Sequence, residues 1–258
     1  MSDLVRATLD PPPGGGYALA SDVVLLTVDD GSARLLDLDG DFHALPAIGA
    51  ALLRAALAEG IEPAVRHVAA EYDVDPARVR ADLIHLLDDL IRRGLVRTPG
   101  ARRGARLLRA IAARASIDPA LRLIRLTCGR RIHAALLLIC ARVSFAVFGW
   151  AQTVRTWQAC CRSPRLSAQQ GHEDAIAAID AEIRDWAARL PLMACKERAL
   201  CCWYLLSMRG IPATLMVGVQ LFPLMGHCWC EADGRVLTDF SDRCDAFTPI
   251  ARYTARPA

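Results

Sequence analysis

Lysine is almost missing from this sequence. Lys196 is the only one among 31 basic side chains, and the other basic residues are arginines. With so much alanine beside it, this reflects a GC-rich coding bias and carries no functional weight. An excess of one charge is missing too. The 31 basic and 28 acidic residues leave +3 over 258 residues, too little for the basic face of a nucleic-acid binder. There is no G-x-x-x-x-G-K-[ST] and no G-x-G-x-x-G, so no nucleotide site is readable. The ten cysteines contain no C-x-x-C; they cluster in the second half, and two pairs are vicinal, Cys160–Cys161 and Cys201–Cys202. The first residues, "MSDLVRATLDPPPGGG", lack a charged-then-apolar signal pattern. Reduced thiols in a cytoplasmic chain are expected, not a disulfide framework. One long apolar run exists, residues 132–151, but Arg142 near its middle and His133 at its start make membrane insertion costly. A helix buried in a core or against a partner is expected there.

What is present is a chain that is 53% hydrophobic and 23% charged, enough to bury a real core in one large or two modest domains. Residues 1–16 read as a flexible Pro/Gly-rich tail. Three β-prone runs follow in "DVVLLTVDDGSARLLDLDGDFHAL", punctuated by the turn signals Asp30-Gly31 and Asp39-Gly40. Helices are expected from about Pro46 to Glu59, from Glu62 to Tyr72, and from the N-cap pair Asp75-Pro76 to Gly94. "LVRT" adds a last short strand. This gives a small domain over 17–98, a basic linker over 99–106, and a second domain over 107–258. The second domain reads as helical to about residue 190, with breaks near Asp118-Pro119 and Ser163-Pro164. A helix then starts near Cys195 and ends at Gly210, followed by strands in "ATLMVGVQLF", "GHCWCEA" and "RVLTDF".

The stretch "GHCWCEADGRVLTDF" is rich in metal ligands, yet strand alternation puts His227, Trp229 and Glu231 on one face and Cys228 and Cys230 on the other. That weakens a His-Cys-x-Cys metal site, and no metal is expected. The turn sets the partner strand. A two-residue loop at Asp233-Gly234 would set Asp239 opposite Cys228. A three-residue loop at Ala232 to Gly234 would set it opposite His227, with Glu231 facing Arg235 and Trp229 facing Leu237. The second register makes better sense of every pair, and it is the one expected. Asp239 would then fix the tautomer of His227 and stabilise its cationic form. Cys195, at a helix start where free N–H groups and the dipole favour a thiolate, is the best nucleophile candidate. Cys201 and Cys202 lie too far into the helix for that help. A Cys195–His227–Asp239 triad is one reading; a core cysteine and a satisfied buried histidine are the bland one.

Cys195, the "RGIPA" after its helix, the pattern H-x-W-x-E-x-D-G and Asp239 together resemble the transglutaminase-like cysteine peptidases. More narrowly, "ACKERAL…RGIPATLMVGV…GHCWCEADGRVLTD" is similar to the B protein, the leader peptidase, of lasso peptide biosynthesis. The resemblance implies an α+β, papain-like peptidase domain with Cys195 as nucleophile, His227 as general base and acid, and Asp239 as its orienter. Cys228 and Cys230 depart from that pattern, where small or β-branched residues are more usual. Residues 17–97 resemble the RiPP recognition element, a winged-helix-like fold related to the small peptide chaperone of pyrroloquinoline quinone biosynthesis. That resemblance implies uptake of a leader peptide as an extra strand. The edge would be the strand near Asp41 to Leu45, with Phe42 and Leu45, beside the helix face of Val79, Asp82, Leu83 and Leu86. A winged-helix DNA reader fits poorly, because helix 75–93 carries Asp82, Asp88 and Asp89. The implied partners are a lasso precursor peptide and an asparagine-synthetase-like cyclase. ATP would belong to that cyclase, and no cofactor is expected here. A transglutaminase-fold acyltransferase and an inactive peptide-binding adaptor are the alternatives.

Overall fold

The computed structural model describes residues 6–8, 16–38, 41–98, 103–128, 132–161 and 172–255. The chain divides into two compact units, Met1–Gly104 and Ala105–Ala258.

The first unit opens with β1 (Arg6–Thr8), so part of the expected tail is a strand, paired antiparallel with residues 25–27. After β2 (Ala18–Leu19), the expected β-prone runs form β3 (Val23–Thr27), β4 (Ala33–Asp37) and β5 (Phe42–Leu45), in a sheet of order β1-β3-β4-β5. The β3–β4 turn is held by Asp30, whose Oδ1 accepts the Ser32 N–H at 2.8 Å, and by Gly31 at φ +81°. Asp39-Gly40 lies outside the described residues. Three helices follow: α1 (Ala47–Glu59), α2 (Ile61–Tyr72) and α3 (Pro76–Arg92). Asp75 caps α3 by accepting the Ala77 N–H at 3.1 Å, with Pro76 at the first helical position. β6 (Val96–Arg97) closes the unit by pairing with β2. Val65 and Val68 of α2, Val79, Leu83, Leu87 and Leu90 of α3, and Leu25 and Leu35 of the sheet meet in one core. The apolar stripe of α3 repeats every three to four residues because that core takes one face of the helix.

The second unit begins with α4 (Arg103–Arg125), which starts inside the expected linker and runs through Pro119 without the expected break. Ala113, Ile117, Leu121 and Ile124 bury one continuous face on both sides of the proline. Asp118 pairs with Arg122 at 2.8 Å across it. Packing on both sides outweighs the hydrogen bond that Pro119 cannot donate. The apolar run splits at Gly149 (φ +73°) into α5 (His133–Phe148) and α6 (Trp150–Cys160). Arg142 reaches the buried carboxylate of Glu197 at 3.4 Å, which accounts for a charge in that apolar helix. Among the described residues no helix is long and apolar enough to cross a membrane. Ser163-Pro164 lies outside the described residues.

Next come α7 (His172–Arg189) and α8 (Cys195–Met208). From Ala199 to Ser207 every residue of α8 is buried, whichever way it points, so α8 is a central helix. It packs on a sheet of order β10-β7-β8-β9, made of β7 (Thr214–Leu221), β8 (Leu224–Ala232), β9 (Arg235–Leu237) and β10 (Thr248–Thr254), all antiparallel. Between β9 and β10 lies the short α9 (Ser241–Cys244). The whole is α+β, as expected.

Candidate active site

Cys195 is the first residue of α8. Its helix start is built by Glu197, two residues on, whose side chain turns back to accept the Ala194 N–H at 2.9 Å. Glu197 is fully buried, and Arg142 supplies its counter-charge. A carboxylate three residues past the N-cap satisfies a free N–H and favours the helix dipole. The backbone N–H groups of Cys228 and Lys196 lie close enough to the half-buried thiol of Cys195 to favour its thiolate. Burial nevertheless pushes the thiol above its usual range, outweighing those N–H groups and the nearby Arg198. The expected helix-start stabilisation of a thiolate is present but loses to desolvation.

His227 stands on β8. As alternation requires, its face is shared by Trp229, whose Nε1 donates to Glu231 Oε1 at 2.7 Å. The imidazole is stacked on Trp229 (centroids 6.0 Å) and tilted against Phe247 (4.9 Å). Opposite His227 on β7 is Gly218. A Cβ there would lie 2.8 Å from the Trp229 ring and 2.9 Å from the Phe247 Cβ. The glycine is what lets these two rings close around His227. Gly218→Ala should therefore cost about 1–3 kcal/mol by overpacking and lower the melting temperature, with activity falling alongside; a thermal melt checks this. Cys228 and Cys230 face α8 instead: the Cys230 thiol lies beside the free thiol of Cys202, and burial raises both β8 thiols well above their usual range.

The hairpin register differs from the expected one. Cys230 pairs with Leu237, Glu231 with Val236 and Ala232 with Arg235, around a two-residue turn at Asp233-Gly234. Asp233 and Gly234 both have positive φ, +50° and +69°, as a type I′ turn demands. Continued, this ladder would set Asp239 opposite Cys228. It stops at Leu237, because Thr238 takes a left-handed conformation at φ +68°, which costs a β-branched residue about 1–2 kcal/mol. The chain turns, and Asp239 Oδ2 comes 2.9 Å from His227 Nε2, short of ideal alignment for the N–H. Both side chains are almost fully buried, 3% and 4% exposed, so the contact is shielded from water. The other carboxylate oxygen accepts the Phe240 N–H at 2.8 Å.

Arg243 at 3.6 Å and Arg198 at 3.7 Å flank the same carboxylate. Burial holds the His227 pKa below the usual imidazole value; Asp239 pulls it back up, while Arg243 and Arg198 push it down. The raised thiol and the lowered imidazole are therefore both favoured in their uncharged forms at rest. Sequence reasoning missed Glu197, Arg198, Arg243 and Gly218. Only Glu197 carried a signal, its place in a helix N-terminal turn.

In the first unit β5 is an edge strand, with Phe42 half-buried, and on α3 Asp82 is exposed and Leu86 half-buried. Leu45, Val79 and Leu83 are corrected: at 3%, 5% and 0% exposure they belong to the core and offer nothing to a ligand. Val79 and Leu83 share the α3 stripe that the core has already taken.

The second unit thus sets a cysteine on the first turn of a buried helix, a histidine on the antiparallel sheet packed against it, and an aspartate just past the end of β9 in contact with that histidine. Residues 135–252 match the transglutaminase-like superfamily, a span that includes Cys195, His227 and Asp239, and residues 22–96 match coenzyme PQQ synthesis protein D (PqqD). The chain thus carries a PqqD-type RiPP recognition element followed by a transglutaminase-like domain. No curated protein and no solved structure matches it.

Proposed function

We propose that this protein is the leader peptidase of lasso peptide maturation, acting in the cytoplasm. The observation that carries the reading is the pairing, in one chain, of a peptide-recognition domain with a transglutaminase-like domain in which a buried histidine meets a buried aspartate and a cysteine stands at a helix start. One domain holds the leader and the other hydrolyses the leader–core bond. Tethering raises the concentration of the scissile bond at Cys195.

Chemistry follows from the neutral resting pair. His227 takes the Cys195 proton as sulfur attacks the carbonyl, so charge forms only when substrate is in place. N–H groups at the start of α8 hold the oxyanion. His227 then protonates the departing core amine, the Cys195 thioester forms, and water activated by His227 releases the leader with a free carboxylate. Asp239 stabilises the imidazolium at each transfer. The freed core amine is then handed to an asparagine-synthetase-like, ATP-dependent cyclase, which joins it to an acidic side chain.

Leader binding falls to β5. Asp37 N–H bonds the Asp41 C=O at 2.8 Å, so in the antiparallel alternation His43 faces β4 while Phe42 and Ala44 turn their N–H groups outward. Ala44→Pro removes one outward donor and spares the β4 ladder. It should weaken leader affinity about tenfold, or about 1.4 kcal/mol, with Cys195 alkylation unchanged; fluorescence anisotropy with a labelled leader peptide measures this. The function itself is tested by incubating the protein with the precursor encoded beside it, with and without cyclase and ATP. Mass spectrometry should find a leader ending in a free carboxylate. A leader carrying an added amine would replace the peptidase by an acyltransferase.

A further inference from the structure

The hairpin that carries His227 stops pairing at Leu237, and two side chains of helix α7 hold the chain just beyond that point. In a two-residue hairpin the residues flanking the turn exchange both ladder hydrogen bonds, and so does every second pair beyond. Ala232 and Arg235 flank the turn here, Cys230 and Leu237 come next, and Cys228 with Asp239 would follow. Completing that pair would swing the Asp239 carboxylate to the Cys228 face, away from His227, because directly opposed residues share a face.

The Asp239 end of the missing pair is occupied elsewhere: its carbonyl accepts Arg184 Nη2 at 2.6 Å. Arg184 is fixed in turn by Asp180, one turn earlier on α7, with Nε to Oδ2 at 2.8 Å. The other oxygen of Asp180 accepts the Thr238 N–H at 2.5 Å. The two α7 side chains therefore grip the left-handed corner at both ends, the N–H of Thr238 and the C=O of Asp239. An i,i+4 ion pair is usually just helix surface; this one spends its remaining hydrogen-bonding groups on another element, at a backbone conformation a threonine adopts only when held.

We infer that Asp180 and Arg184 are positioning residues, which keep the β8–β9 ladder from closing onto Cys228 and so deliver the Asp239 carboxylate to His227. They touch no substrate. The inference rests on the peptidase reading for its consequences in turnover, but its geometric content can be read without a substrate.

The test uses the full chain with two readouts: kcat, KM and their pH profile on the precursor peptide, and the rate at which iodoacetamide alkylates Cys195, located by peptide mapping. Asp180→Ala should lower kcat about 100-fold with KM within twofold, and should change the alkylation rate. The groups facing His227 are Asp239, Arg198 of α8 and Arg243 of α9. A carboxylate that drifts away leaves the two arginines dominant, so the acid limb of kcat/KM should move to lower pH. Asp180→Asn keeps an acceptor for the Thr238 N–H and should recover most of the loss. Arg184→Ala should fall between the two, and with Asp180→Asn it carries the test should Asp180→Ala not fold. A folded Asp180→Ala, or in its place Arg184→Ala, with wild-type kcat, acid limb and alkylation rate would overturn the inference. If wild-type protein leaves the precursor uncut, the peptidase reading fails, and the alkylation rates alone still decide the clamp.

Discussion

Cys195→Ala should abolish release of the leader while the protein still binds it. The expected loss in kcat is at least about 10³-fold, the scale seen when a covalent nucleophile is removed from a site whose other members remain. The substitution removes one sulfur from a half-buried position and leaves the helix start intact, because Glu197 caps Ala194 through its own side chain. No neighbouring thiol is placed to substitute. Cys201, Cys228 and Cys230 are buried, with ionisation pushed well above the usual range, and the exposed Cys128 lies just past the C-terminal end of α4, on none of the elements that carry Cys195, His227 or Asp239. Binding of a labelled leader, followed in parallel with processing by mass spectrometry, separates the two functions. Processing at the wild-type rate in a folded Cys195→Ala protein would remove Cys195 from the mechanism and favour an adaptor that recruits another protease.

How much of this site was readable in the sequence differs from residue to residue. The helix start at Cys195 and the two faces of β8 followed from local rules, namely a proline-led loop, a glycine stop and strand alternation. The meeting of His227 with Asp239 was expected as well, but through the wrong register. Cross-strand pairing is the only short-range device that brings side chains of neighbouring strands together, so a sequence argument reaches for it. The chain uses a left-handed threonine instead, and nothing in "VLTDF" announces one, since its cause lies on α7 nearly sixty residues upstream. The same limit hid the Arg142–Glu197 pair, whose arginine reads only as a flaw in an apolar run. It hid β10 too: "TPIARYT" begins with proline next to its first residue and is made a strand by pairing with β7. On α3 the failure ran the other way. Periodicity found the apolar stripe, but a stripe does not say whether core or ligand covers it, and the core had taken Val79 and Leu83.

Asp239→Asn should lower kcat by about 10²–10⁴, the upper end being the cost of a wrongly held imidazole where a triad carboxylate becomes an amide. The fold should survive. Asparagine keeps an oxygen to accept the Phe240 N–H, and the Asp239 carbonyl still receives Arg184. What goes is the single negative charge among three cationic or ionisable neighbours, His227, Arg198 and Arg243. The sign of the pH effect follows. His227 must be neutral to take the thiol proton, so kcat/KM rises with pH as His227 loses its own proton, and burial already sets that step below the usual imidazole value, about 6.5. Asp239 is the group that raises it, while both arginines lower it. In Asp239→Asn only the lowering groups remain, and the acid limb should move to still lower pH. At neutral pH both proteins then hold an uncharged imidazole, so the lost rate cannot come from a protonated base. It reports the missing stabilisation of the imidazolium and the freed ring orientation during transfer. A pH–rate profile with a thermal melt on the same samples decides the matter. An acid limb that stays put, or a kcat within threefold of wild type, would mean that Asp239 merely neutralises Arg198 and Arg243 and that His227 works without it.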